Sequence, residues 1–343
     1  RGTVRARIPG RAAGEGEPAR AVVNHVDNIG AMVRGFKPDG RLQVAPIGYW
    51  NSRFAEGTRV ILFAEHAVYQ GTLLPTVAWG VSRDAGVADT PIDWDHIELR
   101  LVEPVLDEDG VRSLGIEIGD FIACDSRPEV LDIGFIVGRK IDNKAGVAAV
   151  LTAIRRISEQ QLELPSDIYF LFTVTETVGS GAGSAILPEV SELVTVDFAS
   201  VPAIEAFSFE TVTIAAGDAA GPYDYHLTAH LQALADEIAV PYQRRILPAS
   251  HNDAAAALAA GHDVRTAVIA YAGDATHSVE RTNFKSLENM VELLTAFVCS
   301  APTFAHDTST KEISDFSHQI DAEVMPAKSG HEVDSRSVIR RNR

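Results

Sequence analysis

The chain has 343 residues, of which 46% are hydrophobic, and this supply of apolar side chains is sufficient for a substantial core. Its 47 acidic and 30 basic side chains give a formal net charge of −17 at pH 7. Because so negative a chain repels the phosphates of nucleic acids and of anionic lipids, its charge argues against nucleic-acid and membrane partners. The two cysteines, Cys124 and Cys299, are too few for a disulfide framework or a thiolate zinc site.

The apolar runs of the sequence are too short to cross a bilayer, which takes about 20 residues in a helix. The run from Ala267 to Ala272 is one of the longest. No charged segment followed by an apolar one opens the sequence, so it shows no secretory leader. We therefore predict a cytoplasmic protein.

The first β-rich stretch runs from Ala21 to Val33 and carries His25 and Asp27. Its apolar residues favour a strand of the core sheet. The next apolar run, Leu42 to Ile47, ends at a glycine, and we predict that it leads into a crossover connection.

The pattern between residues 42 and 134 changes to short strands separated by turns. Ile97, Leu99 and Leu101 alternate with charged residues, which is the period of a half-buried strand. We predict an inserted β-rich domain over residues 42–134.

Beyond residue 134, apolar runs of strand length alternate with segments of helical period. This alternation predicts an α/β fold with a mainly parallel central sheet and helices on both faces. Helices are predicted around Val147–Ile157, Tyr225–Ile238 and Ser286–Phe297. Strands are predicted at Ile168–Val174, Leu193–Phe198, Val212–Ala215 and Arg265–Ala272.

The patterns divide the chain into three parts. Residues 1–41 and 135–302 form the α/β domain, and residues 42–134 form the β-rich insertion. Residues 303–343 are polar and lack periodicity, so we predict a disordered tail there.

Polar residues that directly follow apolar runs are the candidates for a functional site, because ligands of open α/β sheets gather beyond the carboxyl ends of strands. Histidine and carboxylate are the ligands that zinc or cobalt accepts in a hydrolytic site. Each residue alone has an ordinary structural explanation, such as a helix cap or a turn, so the prediction depends on the whole set. The candidate segments are His25-Val-Asp27, Asp142 to Gly146, Glu176 to Gly179, Asp197 and His277.

The order of these segments resembles the signature of the M42 metallo-aminopeptidases: His-x-Asp, Asp-Asn-Lys-x-Gly, Glu-x-Val-Gly, a strand-end aspartate and a late histidine. The resemblance extends from about residue 1 to residue 302 and includes an inserted domain after the first histidine. Gly221–His226 and Asp274–Arg281 are similar to M42-like peptidases associated with synthesis of the osmoprotectant N-acetylglutaminylglutamine amide. The resemblance implies an aminopeptidase that acts on peptides or small peptide-like amides, with two divalent ions, zinc or cobalt. It also implies a homo-oligomer, such as a dodecamer.

The resemblance further implies a role for each candidate ligand. Asp142 bridges two metal ions. His25 and Asp197 complete one metal site, and His277 contributes to the other. Asp27 orients His25.

Glu176 resembles the general base, which takes the proton of the attacking water and passes it to the leaving amine. The family motif has two consecutive glutamates before Val-Gly, the second of which binds metal, and this chain has Thr177 at that position. A neutral hydroxyl is a poor substitute for a carboxylate, so the second metal is expected to bind more weakly. If the register were shifted by one residue, Glu176 would be the ligand and Thr175 would replace the base.

Three further polar residues, His251, Asn252 and Asp253, precede an alanine-rich segment that is typical of a helix. They either cap this helix or face the substrate. The sequence leaves both alternatives open.

Two other functions remain open from the sequence. One is a related M20-like deacylase or carboxypeptidase that acts on N-acyl amino acids. The other is a metal-poor pseudoenzyme with a binding or assembly role, and Thr177 is the main residue in its favour.

Overall fold

The computed structural model describes residues 2–11, 18–77, 86, 89–200 and 208–303. Except for residue 303, the tail predicted over residues 303–343 lies outside the described residues. Two sheets dominate the described part of the chain, one large and one closed into a barrel.

The described part of the chain contains both strands and α-helices. In chain order the strands are β1 (Val4–Ile8), β2 (Ala19–His25), β3 (Gly30–Phe36), β4 (Leu42–Ile47), β5 (Arg59–Phe63), β6 (Val68–Pro75), β7 (Ile97–Leu101), β8 (Phe121–Cys124), β9 (Glu129–Val130), β10 (Phe135–Gly138), β11 (Ile168–Thr173), β12 (Val190–Ser200), β13 (Val212–Asp218), β14 (Gly221–Pro222), β15 (Tyr242–Leu247), β16 (Arg265–Asp274) and β17 (Glu280–Asn283). The α-helices are α1 (Ser52–Ala55), α2 (Glu108–Ser113), α3 (Ile141–Glu159), α4 (Tyr225–Glu237), α5 (Asp253–Ala259) and α6 (Phe284–Cys299).

The large sheet is mixed, so the prediction of a mainly parallel sheet is confirmed only in part. Its centre, β11-β2-β12-β16, is parallel, as predicted. The flanking strands β1 and β17 pair antiparallel with β11 and β16, and β13 pairs antiparallel with β16. Residues 275–279 connect β16 to β17, and so short a connection can join only antiparallel neighbours, because a parallel pair needs a crossover of a dozen or more residues.

Helices cover both faces of the large sheet, as predicted. Val22 points to the face on which α3, α4 and α6 pack. The next residue, Val23, points to the opposite face and packs in a cluster that includes Ala257 of α5. Because successive side chains of a strand alternate between the faces, a fully buried strand such as β2 contributes to two cores.

The predicted helices and strands of the α/β part are present. The predicted helix at Tyr225–Ile238 is α4, and the side chain of Asp224 caps it by accepting from the amide of Leu227. The predicted helix at Ser286–Phe297 is the longer α6, capped by Asn283. None of the helices in the described ranges is long and apolar enough to cross a membrane.

The small sheet is a closed barrel with the strand order β3-β4-β7-β6-β5-β8. The predicted stretch Ala21–Val33 is therefore two strands in two different sheets, because residues 26–29 interrupt it. The predicted crossover after Leu42–Ile47 is wrong, since β4 pairs with β3 and β7 inside the barrel. The first barrel strand begins at Gly30, within the range assigned to the α/β domain, and the boundaries of the two domains stay a prediction.

Candidate active site

The predicted site residues lie at the carboxyl edge of the parallel centre of the large sheet. His25 is the last residue of β2, and Glu176 follows the end of β11. Asp197 lies on β12, which continues to Ser200. Adjacent parallel strands end at the same edge of a sheet, so residues far apart in sequence meet there.

Three of the predicted metal ligands form one cluster. Nε2 of His25 lies 3.4 Å from Oδ1 of Asp142 and 3.8 Å from Oδ1 of Asp197. The ligand atoms of all three residues lie within 4.8 Å of one another. His25 is 4% exposed, so the cluster is largely removed from solvent.

His277 approaches the same cluster from the other side of Asp142. Its Nε2 lies 3.8 Å from Oδ2 of Asp142, the carboxylate oxygen that does not face His25. The other ring nitrogen, Nδ1, lies 2.6 Å from the backbone oxygen of Tyr49, which accepts a hydrogen bond from it. A backbone oxygen can only accept, so Nδ1 carries a proton in this contact, and Nε2 is directed towards Asp142.

Asp27 connects His25 to the loop that carries Glu176. Its Oδ1 lies 3.6 Å from Nδ1 of His25. Its Oδ2 accepts hydrogen bonds from the amide of Thr177 at 3.0 Å and from the Thr177 hydroxyl at 2.6 Å. The residue at the position of the missing glutamate is therefore hydrogen-bonded to Asp27.

Glu176 is mostly buried beside the cluster, with Oε2 3.6 Å from Nε2 of His25. Burial raises the pKa of its carboxyl to about 9; His25 opposes this rise, and Asp197 adds to it. Without a nearby cation, this group holds its proton at neutral pH.

The protonation behaviour of His25 and Asp197 and the free oxygen of Asp142 indicate that the cluster is suited to a cation. Burial opposes protonation of His25, but the neighbouring carboxylates of Asp142 and Asp197 outweigh it and raise the pKa of its imidazole well above the usual value. Burial raises the pKa of Asp197. Oδ1 of Asp142 is buried and has no hydrogen-bond partner among the described residues. A divalent ion would satisfy this oxygen and neutralise the crowded carboxylates, so the residues fit a metal.

Glu280 belongs to the site, although no role was predicted for this residue from its place in the sequence. Its carboxylate accepts hydrogen bonds from the amides of Ile141 at 2.6 Å, Asp142 at 3.0 Å and His277 at 3.0 Å. Burial raises its pKa to about 8. Glu280 thus fixes the backbone of two candidate ligands, and its place three residues after His277 was the available signal.

The three polar residues at the start of α5, His251, Asn252 and Asp253, lie in different environments. Asn252 caps the helix by accepting from the amide of Ala254 at 2.9 Å, which confirms the capping alternative for this residue. His251 is exposed. Asp253 is fully buried and accepts a hydrogen bond from the hydroxyl of Thr173 at 3.0 Å. Burial raises the pKa of its carboxyl to about 7.

A small cleft lies over the cluster and includes residues from the barrel strand β8 and the loop before β17. Metal-ligand candidates and two basic residues line it. The lining residues are His25, Asn28, Ile29, Cys124, Arg139, Lys140, Asp142, Thr177, His277, Ser278 and Glu280.

Solved structures share this fold. The TET aminopeptidase from the marine sediment archaeon Thaumarchaeota archaeon SCGC AB-539-E09 superposes with a TM-score of 0.77 at 18% identity, over 92% of this chain and 88% of that one. The Pyrococcus horikoshii TET1 peptidase, which can assemble into a tetrahedron or a large octahedral shell, superposes with a TM-score of 0.76 at 20% identity, over 88% of each chain.

Sequence comparisons identify the family. The M42 glutamyl aminopeptidase family matches residues 2–293. The protein YhfE of Bacillus subtilis (strain 168) is 37% identical over 302 residues, which are 88% of this chain and 86% of that protein. The glutamyl aminopeptidase of Lactococcus lactis subsp. cremoris (strain MG1363) is 29% identical over 171 residues, 48% of this chain and 46% of that protein. Because the family match covers most of the chain, the protein belongs to the M42 family of metal-dependent aminopeptidases, hydrolases that act on peptide bonds.

Proposed function

We propose that this protein removes N-terminal residues from peptides or small peptide-like amides with two divalent ions. His25, Asp142 and Asp197 would hold one ion, and Asp142 and His277 would hold the other. The observation that carries the proposal is the position of Asp142, whose two carboxylate oxygens face different histidines. Two neighbouring cations need such a shared anionic ligand.

Zinc or cobalt suits the proposed ligands, which are imidazole nitrogens and carboxylate oxygens. When bound, such ions polarise the scissile carbonyl and increase the acidity of the attacking water. The chain supplies the ligands and limits the access of bulk water, since His25, Asp142 and Asp197 lie largely buried.

Glu176 acts as the general base in this proposal. Its Oε2 would take the proton of the attacking water and pass it to the leaving amine. The pKa of about 9 that burial produces belongs to the carboxyl without a cation. A divalent charge in the neighbouring cluster favours the carboxylate, so metal binding lowers this pKa and prepares Oε2 to accept a proton.

Asp27 acts as a positioning residue. It faces Nδ1 of His25 through Oδ1 and is itself held by two hydrogen bonds from Thr177. The backbone oxygen of Asp27 lies 3.1 Å from Nδ1 and accepts its hydrogen bond, which selects the tautomer of His25 that keeps the proton on Nδ1 and leaves Nε2 free for metal.

A metal-poor binding protein is the second candidate function, and one observation favours it. The hydroxyl of Thr177 donates to Asp27, so the second metal position has no terminal carboxylate from this residue. We propose that the second ion binds more weakly than the first, and that the enzyme retains activity at sufficient metal concentration.

Metal analysis combined with turnover tests this proposal. The purified protein, dialysed against zinc or cobalt, is expected to hold one ion tightly and a second one weakly, and to hydrolyse aminoacyl p-nitroanilides. N-acyl amino acids are the comparison substrates, because their hydrolysis would favour the M20-like alternative. Tight binding of no ion, together with no turnover of either substrate class, would exclude the enzyme and leave the binding protein.

We also propose that the chain forms a homo-oligomer. The support is the fold shared with the Pyrococcus horikoshii TET1 peptidase, which assembles into large shells. Light scattering coupled to size-exclusion chromatography would measure the mass of the assembly against the 36.9 kDa of one chain. The cytoplasmic location stays a prediction from the sequence.

A further inference from the structure

Two consecutive basic residues lie in the cleft beside the metal cluster. Arg139 and Lys140 connect β10 to α3, and both line the cleft together with Asp142 and His277. In a chain of net charge −17, a pair of cations at this place calls for an explanation.

The guanidinium of Arg139 has an unused donor. Its Nη2 donates to the backbone oxygen of Phe54 at 2.9 Å and to the hydroxyl of Thr58 at 3.0 Å. Its Nη1 is buried and has no hydrogen-bond partner among the described residues. A buried charged donor without an acceptor is unfavourable, and an oxygen of a bound ligand would relieve it.

Lys140 is held at the start of α3 in a backbone conformation unusual for a residue with a side chain. Its φ is 66°, in the left-handed region. Neither Lys140 nor Arg139 forms a salt bridge with a carboxylate of the described ranges. Burial raises the pKa of the Cys124 thiol in the same cleft, and the charges of Arg139 and Lys140 oppose this rise. Both positive charges therefore act on the Cys124 thiol, which lines the same cleft.

The carboxylates of the cleft do not neutralise this pair. Glu280 directs its oxygens to the amides of Ile141, Asp142 and His277. Asp142 faces the two histidines of the metal cluster. A negatively charged group of a ligand in the cleft would balance Arg139 and Lys140.

We propose that Arg139 and Lys140 form an anion subsite that binds a carboxylate of the peptide substrate. This inference rests on the proposed aminopeptidase function. Two carboxylates of a peptide could occupy the subsite: the acidic side chain of the N-terminal residue, or the α-carboxylate of a dipeptide. Nη1 of Arg139 supplies one charge-assisted hydrogen bond, and the ammonium of Lys140 supplies the second charge.

Two pairs of substrates, each differing only in one carboxylate, distinguish the side-chain carboxylate from the α-carboxylate as the group that is bound. Glutamyl p-nitroanilide against glutaminyl p-nitroanilide measures recognition of the side chain. Leucyl-alanine against leucyl-alanine amide measures recognition of the α-carboxylate. In one of the two pairs, the charged substrate is expected to have a kcat/KM at least about tenfold higher, since hydrogen bonds between charged groups are worth roughly 1.5–3 kcal/mol.

Lys140→Met is the main variant, because it removes the charge and keeps an unbranched side chain. It is expected to reduce the charged-over-neutral ratio by about tenfold. Arg139→Gln is expected to do the same, although it also disturbs the contacts to Phe54 and Thr58. The matched control is Arg155→Met, on an exposed face of α3. Arg155 lies 15 residues after Lys140, or about 22 Å further along the helix axis. The charged-over-neutral ratio of this variant is expected to stay unchanged.

Binding of L-glutamate and L-glutamine to the metal-loaded protein, measured by calorimetry, keeps the subsite separable from the proposed activity. Tighter binding of glutamate that Lys140→Met abolishes would support the side-chain source even if no substrate were hydrolysed. Equal turnover within both substrate pairs, together with equal affinity for glutamate and glutamine, would overturn the inference. A charged-over-neutral preference that survives both variants would also overturn it.

Discussion

The two halves of the candidate site are built in different ways. His25 and Asp197 lie on the neighbouring parallel strands β2 and β12, inside the sheet and largely out of solvent. His277 lies in the loop between β16 and β17, with a side chain that is 34% exposed and a φ of 62°. Its ring is held by the backbone of Tyr49, beyond the end of barrel strand β4. The first half is fixed by strand pairing, and the second depends on contacts between loops.

This difference predicts unequal metal positions. Strand pairing sets the separation of His25 and Asp197 before any ion binds, so little ordering is required on binding. The loop half lacks a terminal carboxylate and has a single histidine that must be held by a neighbouring loop.

Replacement of the residue shared by both halves should have the largest effect. Asp142→Ala removes the only candidate ligand that faces both histidines, so both ions are expected to be lost and kcat/KM to fall by more than about 10³-fold. Elemental analysis and turnover measure the two effects. Asp132→Ala, at an exposed position, is the control. Unchanged metal content in Asp142→Ala would remove the assignment of the site.

Glu176→Gln keeps the size of the side chain and removes its basicity. We expect metal content to stay unchanged and kcat to fall by about 10² to 10⁴-fold, the usual contribution of general-base catalysis. Loss of an ion in this variant would instead favour the shifted register, in which Glu176 is a metal ligand.

Thr177→Glu restores a carboxylate in the loop half. Metal stoichiometry is expected to rise towards two ions per chain, and hydrolysis of aminoacyl substrates to increase at limiting metal. Thr177→Val is the matched variant, because it removes only the hydroxyl that donates to Asp27. It is expected to weaken metal binding by about tenfold or somewhat more, as for other residues that orient a ligand. If Thr177→Glu bound no additional ion, the weak second site would have another cause.

Gly48→Ala tests the support that the barrel gives to the loop half. Gly48 has a φ of +74°, and an added Cβ would lie 2.9 Å from the backbone oxygen of Thr177. Displacement of this turn moves the neighbouring Tyr49, so we expect the weaker ion to lose affinity several-fold while the tighter ion is unaffected. Titration with zinc or cobalt measures both sites.

Gly57→Ala controls for backbone strain in this experiment. Gly57 has a similar φ of +75°, but an added Cβ would meet nothing within 4 Å. Both variants are expected to lose about 1 kcal/mol of stability from the left-handed conformation, and only Gly48→Ala should change metal binding. Equal metal affinities in the two variants would show that the barrel turn does not support His277.

The sequence named candidate ligands in both halves of the site, and their roles as metal ligands stay a prediction. His25, Asp142, Asp197 and His277 were selected because each follows an apolar run or opens a helix, and such patterns are local. The position that holds the ring of His277 could not be selected in this way. The contact of His277 to Tyr49 spans 228 residues, and no periodicity indicates a contact of that kind.

The fold shows the same division. The strands and helices of the α/β part follow from hydrophobic periodicity, and the structure contains them. The antiparallel flanks of the sheet and the transfer of β3 to the barrel were missed, because strand partners are chosen by packing over long distances in sequence.

The sequence by itself determined which residues can do the chemistry, since ligand and base types and their order are properties of the chain. Only the tertiary structure decided what those residues face. It directs the Thr177 hydroxyl to Asp27 across 150 positions and makes Glu280 a support for two ligand loops. It also leaves Nη1 of Arg139 buried without an acceptor. These outcomes depend on burial and on the geometry of distant segments, because a buried polar atom must find its partner wherever the fold brings one.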